Sequence, residues 1–137
     1  IAAFCGNVLS FVLTPSASLG ASTAIFGMLG AEIIFVVQNK RYLGGRSRGL
    51  LFNLIFILLL NLSIGFNQAL NIDYFGHLGG LIAGGLFAFL AGPKWQLELT
   101  EFQPELKDTR AKRDIQMALV IVFLGFCLIA VIPFIFG

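Results

Sequence analysis

Residues 74–93 read YFGHLGGLIAGGLFAFLAGP, a run of twenty residues without Asp, Glu, Lys or Arg and with five glycines among the first twelve. Twenty apolar residues in a helix match the thickness of a bilayer core. Three further stretches also lack these four residue types, namely residues 1–31, 49–72 and 115–137. We therefore interpret the chain as an integral membrane protein, with the lipid bilayer as its first partner.

The composition of the 137 residues supports this interpretation. Hydrophobic residues make up 58%, charged residues only 12%, and the mean hydropathy is +0.92. These values exclude an ordinary soluble domain. The net charge of +2 does not indicate nucleic-acid binding, because the basic residues flank apolar segments and form no stripe with interleaved aromatic residues.

Cysteine usage gives no sign of a disulfide framework or a metal centre. Cys5 and Cys127 lie far apart, each inside an apolar tract, and no CxxC motif is present. We expect both to be packing residues. With no cluster of metal-ligating residues in the sequence, we expect neither a metal nor an organic cofactor.

The apolar tracts predict helices, because an open strand in lipid would leave backbone groups without hydrogen bonds. The first tract is broken at residues 14–20 by Pro15 and several small polar residues, which predict a turn. The expected segments cover residues 1–13, 22–38, 50–65, 75–91 and 115–136. The first is shorter than a span, and we expect it to be the end of a helix in a longer protein.

The basic residues orient these helices. The segment 39–49 contains four Lys or Arg and the segment 93–114 contains five, while residues 14–20 and 66–74 contain none. All nine basic residues thus fall on one side, which the positive-inside rule makes the cytoplasmic side. The helices that begin near Ser22 and Phe75 then both run inward and are parallel.

This orientation places a serine and the single histidine at one depth. Ser22 precedes Lys40 by 18 residues and His77 precedes Lys94 by 17, which corresponds to about 27 and 25 Å along a helix. Both residues therefore lie near the outer ends of parallel helices. A histidine is the usual base that activates a serine hydroxyl, and a helix N-terminus stabilises negative charge on an attacked carbonyl.

Small residues favour close contact between the two helices. His77, Gly80 and Gly84 share one face of the later helix, and faces of this kind allow close packing in membranes. On the earlier helix Phe26 lies one turn below Ser22, where its ring could pack against the imidazole. We expect Gly80 and Gly84 to be packing residues.

The glycine that precedes Ser22 by two residues has its own expected role. Gly20 lacks a side chain, so it leaves room for a substrate backbone or permits a left-handed turn.

Two motifs resemble those of the rhomboid family of intramembrane serine proteases. Residues 20–23, GAST, are similar to the family's G-x-S-G, and residues 77–84, HLGGLIAG, to its H-x-x-G-x-x-x-G. Gly6-Asn7 with Ser10, and Asp73 before the histidine, are also similar to family positions. The resemblance covers roughly residues 1–92 and implies a helical bundle, here partial, without a cofactor.

The resemblance also implies roles for individual residues. Ser22 would be the nucleophile, His77 the general base and acid, and Phe26 a support for the imidazole ring. The substrates would be transmembrane segments of other membrane proteins, cut near their outer ends. The family pattern differs here at Thr23, where Gly is usual, and the family's earlier helices with their oxyanion residues have no counterpart, so we expect residues 1–137 alone to be inactive.

Simpler interpretations stay open for several residues. Ser22 alone is more often a helix N-cap, and a lone histidine such as His77 is more often a buried group bonded to backbone. Asp73 is expected to be a cap or loop residue rather than a catalytic acid. Glu32 lies within a span, where a carboxylate is costly, and we expect it to be protonated or hydrogen-bonded inside the bundle.

The sequence analysis therefore predicts an all-α polytopic membrane protein in three parts. Residues 1–92 form part of a rhomboid-like core, 93–114 a charged cytoplasmic linker, and 115–137 an additional transmembrane helix that we expect to be a plain anchor. The leading function is a serine endopeptidase in a membrane, with the bacterial plasma membrane favoured by the compact loops. The alternatives are an inactive rhomboid-like protein that binds transmembrane clients and, ranked lower, a transporter, for which no internal repeat is visible.

Overall fold

The computed structural model describes residues 1–14, 21–65, 72–99 and 103–136. Over these ranges the chain forms five helices and one two-stranded antiparallel sheet. In chain order they are α1 (Ala2–Leu13), α2 (Ser22–Leu43), α3 (Arg46–Gly65), α4 (Tyr74–Ala91), β1 (Trp95–Leu99), β2 (Pro104–Asp108) and α5 (Lys112–Phe136). Of the turn predicted at residues 14–20, Thr14 is the C-cap of α1 and residues 15–20 lie outside the described ranges.

Four of these helices are long and apolar enough to cross a membrane. They correspond to Ser22–Leu43, Arg46–Ile64, Tyr74–Ala91 and Lys112–Ile135, whereas α1 is apolar but shorter. The predicted helical membrane fold is therefore confirmed.

Helices α2 and α4 are parallel and aligned at both ends. At the inner end the Gln38 side chain donates to the Phe89 carbonyl over 3.0 Å, and the Tyr42 hydroxyl donates to the Trp95 carbonyl over 2.8 Å. At the opposite end Ser22 meets His77. The two helices thus begin and end at matching depth, as the spacing of the basic residues predicts.

Backbone contact between α2 and α4 depends on glycines. A Cβ atom at Gly84 would overlap the Gly27 carbonyl oxygen, and one at Gly80 would overlap the Thr23 carbonyl oxygen. At Gly30 of α2 a Cβ would overlap the Leu81 carbonyl oxygen of α4. The two backbones therefore touch along about two turns of α2, which side chains of any size would prevent.

Helix α5 belongs to the bundle and is more than the plain anchor expected from the sequence. Its Val122 and Phe126 are buried with Cys5 and Val8 of α1 and Ala83 of α4. Two stacked ring pairs extend this contact: Phe4–Phe123, with centroids 4.8 Å apart, and Phe11–Phe134, at 6.2 Å.

The charged stretch at 39–49 is mostly helical, and the prediction of a loop there is wrong. Helix α2 continues to Leu43 and α3 begins at Arg46. Only Gly44 and Gly45 separate the helices, and Gly44 has a φ of 56°, a conformation that glycine adopts without strain. Charged residues mark the membrane surface, but they do not end a helix.

Residues 93–114 are also more structured than the predicted linker. Strands β1 and β2 pair in an antiparallel hairpin with Leu97 opposite Leu106 and Glu98 opposite Glu105. The alternation of Leu97 and Leu99 with polar residues carries the period of two that is typical of a strand.

We expect Gly84→Ala to lower the free energy of unfolding by about 1–3 kcal/mol, because the new methyl group would force the α2 backbone away from α4. The measurement is unfolding in detergent, followed by circular dichroism. Gly49→Ala in α3 is the control, since a Cβ there meets nothing within 4 Å. Equal loss in both variants would contradict a role for close α2–α4 contact in stability.

Candidate active site

Ser22 and His77 form a hydrogen-bonded pair at the outer ends of α2 and α4. The Ser22 Oγ and the His77 Nε2 are 2.7 Å apart, across 55 residues of sequence. His77 is 7% exposed, so its ring is held inside the bundle next to the surface at which both helices begin. A hydroxyl and an imidazole in this geometry can exchange a proton.

Ser22 is not the N-cap of α2. The cap position is Ala21, whose side chain accepts no hydrogen bond. The backbone N–H groups of Ser22 and Thr23 have no carbonyl four residues earlier within the helix. Ser22 therefore combines a hydroxyl bonded to histidine with a position at the positive end of the helix dipole.

Phe26 fixes the plane of the His77 ring. The two ring centroids are 4.3 Å apart and the planes differ by 8°, which is a stacked arrangement. Phe26 is 5% exposed and lies one turn after Ser22 on the same face of α2. One helix thus presents both the hydroxyl and the ring that orients its partner.

The second ring nitrogen of His77 points into protein. The Nδ1 atom is buried and has no hydrogen-bond partner among the described residues. When Nδ1 carries the ring proton, Nε2 is free to accept the Ser22 hydroxyl proton.

Asp73 caps helix α4. Its Oδ1 accepts from the Gly76 backbone N–H over 2.8 Å, and its carbonyl accepts from the His77 N–H over 3.1 Å. A Cβ at Gly76 would overlap the Asp73 carboxylate, so the glycine leaves the room that this cap needs. The side-chain contact agrees with the predicted cap.

Thr23 faces the helix packing rather than open space beside Ser22. It is 3% exposed, and its methyl group lies where a Cβ of Gly6 in α1 would stand. Gly79 of α4 also lies against α1, since a Cβ there would be 2.9 Å from the Gly6 Cα. Thr23 therefore packs where α1, α2 and α4 meet.

Gly80 and Gly84 lie at the α2–α4 contact described above, whereas Gly20 is outside the described ranges. Glu32 is exposed on α2 and has no hydrogen bond or ion pair to a described residue. Of the two alternatives expected for Glu32, a hydrogen bond inside the bundle is not formed with any described residue, and the other stays a prediction. Residues 1–14, 21–65, 72–99 and 103–136 contain no group of three or more His, Cys, Asp or Glu side chains placed to hold a metal ion.

The sequence model of the Rhomboid domain matches residues 1–94. The chain belongs to the rhomboid family. Its similarity to individual rhomboids agrees with this. It is 47% identical over 90 residues to "Rhomboid protease GluP" of Bacillus subtilis, covering 66% of this chain and 17% of that protein.

Relatives from other organisms show the same pattern. "RHOMBOID-like protein 1" of Arabidopsis thaliana is 38% identical over 98 residues, which cover 69% of this chain and 24% of that protein. "Rhomboid-like protease 1" of Toxoplasma gondii is 35% identical over 101 residues, which cover 72% and 33%. The matched part of this rhomboid chain thus spans a third or less of these relatives. No solved structure matches it significantly.

Two contacts of α2 escaped the sequence analysis, one beside the site and one at the opposite end of the helix. The packing of Thr23 between Gly6 and the glycines of α4 could be anticipated only weakly from the sequence. The one sign of it is a small residue, Gly6, in the short apolar helix α1. The hydrogen bonds from Gln38 and Tyr42 to the Phe89 and Trp95 carbonyls leave no signal in the sequence, since polar residues near the end of a membrane helix are ordinary.

We expect Asp73→Ala to lower the free energy of unfolding by about 0.5–2 kcal/mol, because the Gly76 N–H loses its acceptor. Asp73→Asn keeps an oxygen at this position and should stay close to wild type. Detergent unfolding of both variants, together with fluorophosphonate labelling of Ser22, checks the assignment. Normal stability with lost labelling in Asp73→Asn would instead give the carboxylate a part in the site.

Proposed function

We propose that the protein is an intramembrane serine endopeptidase that cleaves transmembrane segments with a Ser22–His77 dyad. The 2.7 Å contact between Ser22 Oγ and His77 Nε2 at a helix N-terminus carries this proposal. Membership of the rhomboid family and similarity to a relative named as a protease support it.

The first half of the reaction is acylation. The Ser22 Oγ attacks the carbonyl carbon of the scissile peptide while His77 Nε2 takes the hydroxyl proton. Negative charge develops on the carbonyl oxygen and is stabilised by the N–H of Ser22 and the helix dipole. The C–N bond then breaks, and the histidine gives its proton to the leaving amine.

The second half releases the other product. Water loses a proton to His77 Nε2 and attacks the acyl group on Ser22, and collapse of the intermediate returns the proton to the serine oxygen. The site must therefore admit water, which agrees with its place at the ends of α2 and α4 opposite to the basic residues.

Phe26 contributes to this cycle by holding the imidazole. Once protonated, the ring is a cation that lies 4.3 Å from an aromatic face, and contacts of this kind stabilise cations by about 0.5–2 kcal/mol. Asp73 is engaged in the helix cap and is assigned no proton-transfer step.

The substrates proposed here are membrane proteins whose transmembrane segments enter the site from the bilayer. The GluP similarity favours a bacterial plasma membrane as the location, although relatives also come from a plant and a parasite.

We expect Ser22→Ala and His77→Ala each to reduce cleavage of a transmembrane reporter roughly 10³-fold or more, because the nucleophile or its base is removed. The assay uses the complete protein in liposomes, with binding of the reporter measured in parallel. Ser63→Ala is the matched control, since this serine is exposed on α3 and, among the described residues, bonds only the Leu59 carbonyl of its own helix.

A second readout separates the two candidate functions. A fluorophosphonate should label wild type and the Ser63→Ala variant but not Ser22→Ala. If wild type binds a panel of transmembrane segments, cuts none of them and resists labelling, the protein is a client-binding rhomboid and the protease proposal fails.

We expect Phe26→Leu to lower kcat about 10-fold with little change in KM, because the His77 imidazole loses its stacking partner while substrate binding is left unchanged. Phe26→Tyr keeps the aromatic face and should retain most of the labelling rate. The measurement is steady-state cleavage with the rate of fluorophosphonate labelling. A change in KM alone would contradict the assigned positioning role.

A further inference from the structure

The hairpin formed by β1 and β2 has one apolar face and one charged face. Residues directly opposite each other in the register point to the same side. The apolar face carries Leu97 opposite Leu106 and Leu99 opposite Pro104, and at its root Trp95 opposite Asp108. The charged face carries Gln96 opposite Lys107 and Glu98 opposite Glu105. A hairpin with this division is suited to a boundary between an apolar and an aqueous phase.

The apolar face is uncovered by the rest of the described chain. Leu99 is 84% exposed, Leu97 60% and Leu106 47%. On the other face the ammonium group of Lys107 pairs with Glu98 at 3.0 Å. Lys107 and Glu98 are therefore paired within the hairpin, whereas no described residue shields the leucines from water.

Hydrogen bonds fix the root of the hairpin to the ends of the spanning helices. The Lys94 N–H donates to the Asp108 carboxylate, and the Thr109 N–H donates to the Lys94 carbonyl. The Arg110 guanidinium donates to the Gly92 carbonyl over 2.8 Å just after α4 ends. The hairpin consequently starts and finishes at the membrane surface.

The surroundings of the root match the chemistry of a bilayer surface. Trp95, an amphipathic ring typical of the membrane interface, stands at the start of β1, and its carbonyl is held by Tyr42. Basic residues follow at the same end, at Lys112 and Arg113 where α5 begins. Such residues attract the anionic headgroups of a cytoplasmic leaflet.

We propose that this hairpin lies flat on the inner surface of the bilayer, with its leucine face in the boundary between headgroups and acyl chains. Five residues of strand extend about 17 Å. A hairpin that stood upright would carry Leu99 roughly that far into water, whereas a flat one places all three leucines in lipid. Because the hairpin is attached to α4 and α5, the bilayer is always within reach of its leucine face, whereas a second protein is not.

The proposal is independent of the protease assignment, since it uses only the hairpin and the membrane. Trp95 is the single tryptophan of the chain, which makes a tryptophan scan simple. With Trp95→Phe as background, Leu99→Trp places the reporter on the apolar face. Glu105→Trp places it one residue from the Pro104 partner of Leu99, on the charged face.

The protein is placed in nanodiscs of phosphatidylcholine and phosphatidylglycerol, with one copy per disc. We expect brominated phosphatidylcholine to quench the Leu99→Trp variant at least about 2-fold more than the Glu105→Trp variant, with the reverse order for aqueous iodide. Leu97→Trp serves as a second reporter and should behave as Leu99→Trp does. The three reporter positions, Leu97, Leu99 and Glu105, are exposed, so the folded bundle is preserved.

Three results would overturn the proposal. Equal and strong iodide quenching of both variants would show that the hairpin stands in water. Shielding of the Leu99→Trp variant from iodide without quenching by brominated lipid would show that protein covers the leucines. Shielding that appears only with several copies per disc would assign the face to contact between copies.

Discussion

The close approach of the α2 and α4 backbones is the constraint on which the rest of the bundle depends. Carbonyl groups of Gly27 and Leu81 occupy the space that side chains on the other helix would need. In a membrane, apolar side chains gain little by leaving lipid for one another, so helix pairs are held by contact area and by polar groups. At this interface the glycines provide the contact area, and the Ser22–His77 and Gln38–Phe89 hydrogen bonds provide the polar contacts.

The same constraint explains how Ser22 and His77 are held within hydrogen-bond distance of each other. A serine and a histidine on separate flexible segments would have to be ordered before each reaction, whereas here both stand on helices whose backbones cannot slide apart without opening the glycine contact. Phe26 completes the arrangement by fixing the ring plane. Preorganised groups of this kind lower the reorganisation that accompanies charge transfer.

The sequence contains most of this arrangement in readable form. Apolar runs fix the helices, the nine basic residues fix their direction, and helical spacing brings Ser22 level with His77. Prediction from the sequence fails where charge indicates one structure and the residue pattern indicates another. Helix α2 continues through the charged residues Lys40 and Arg41 to Leu43, where charge alone would end it. Leu97 and Leu99 follow a strand period inside a segment that is rich in charged residues.

Other features depend on contacts that no local pattern encodes. The burial of Val122 and Phe126 against α1 is invisible in a uniformly apolar helix, since every face of α5 has the same composition. The exposure of Glu32 is equally invisible, because one carboxylate in a helix does not say which face packs. The sequence of a helix therefore predicts its direction and depth in the membrane, whereas the face that packs against the bundle depends on the neighbouring helices.

The separation of 55 residues between the hydroxyl and the imidazole has a consequence for biogenesis. During synthesis α2 and α3 enter the membrane first, and for that interval the serine has no base. The pair forms only when α4 inserts beside α2. A nascent chain that stalls or is truncated before α4 therefore holds a serine hydroxyl without its histidine partner, even when α1, α2 and α3 are already in place.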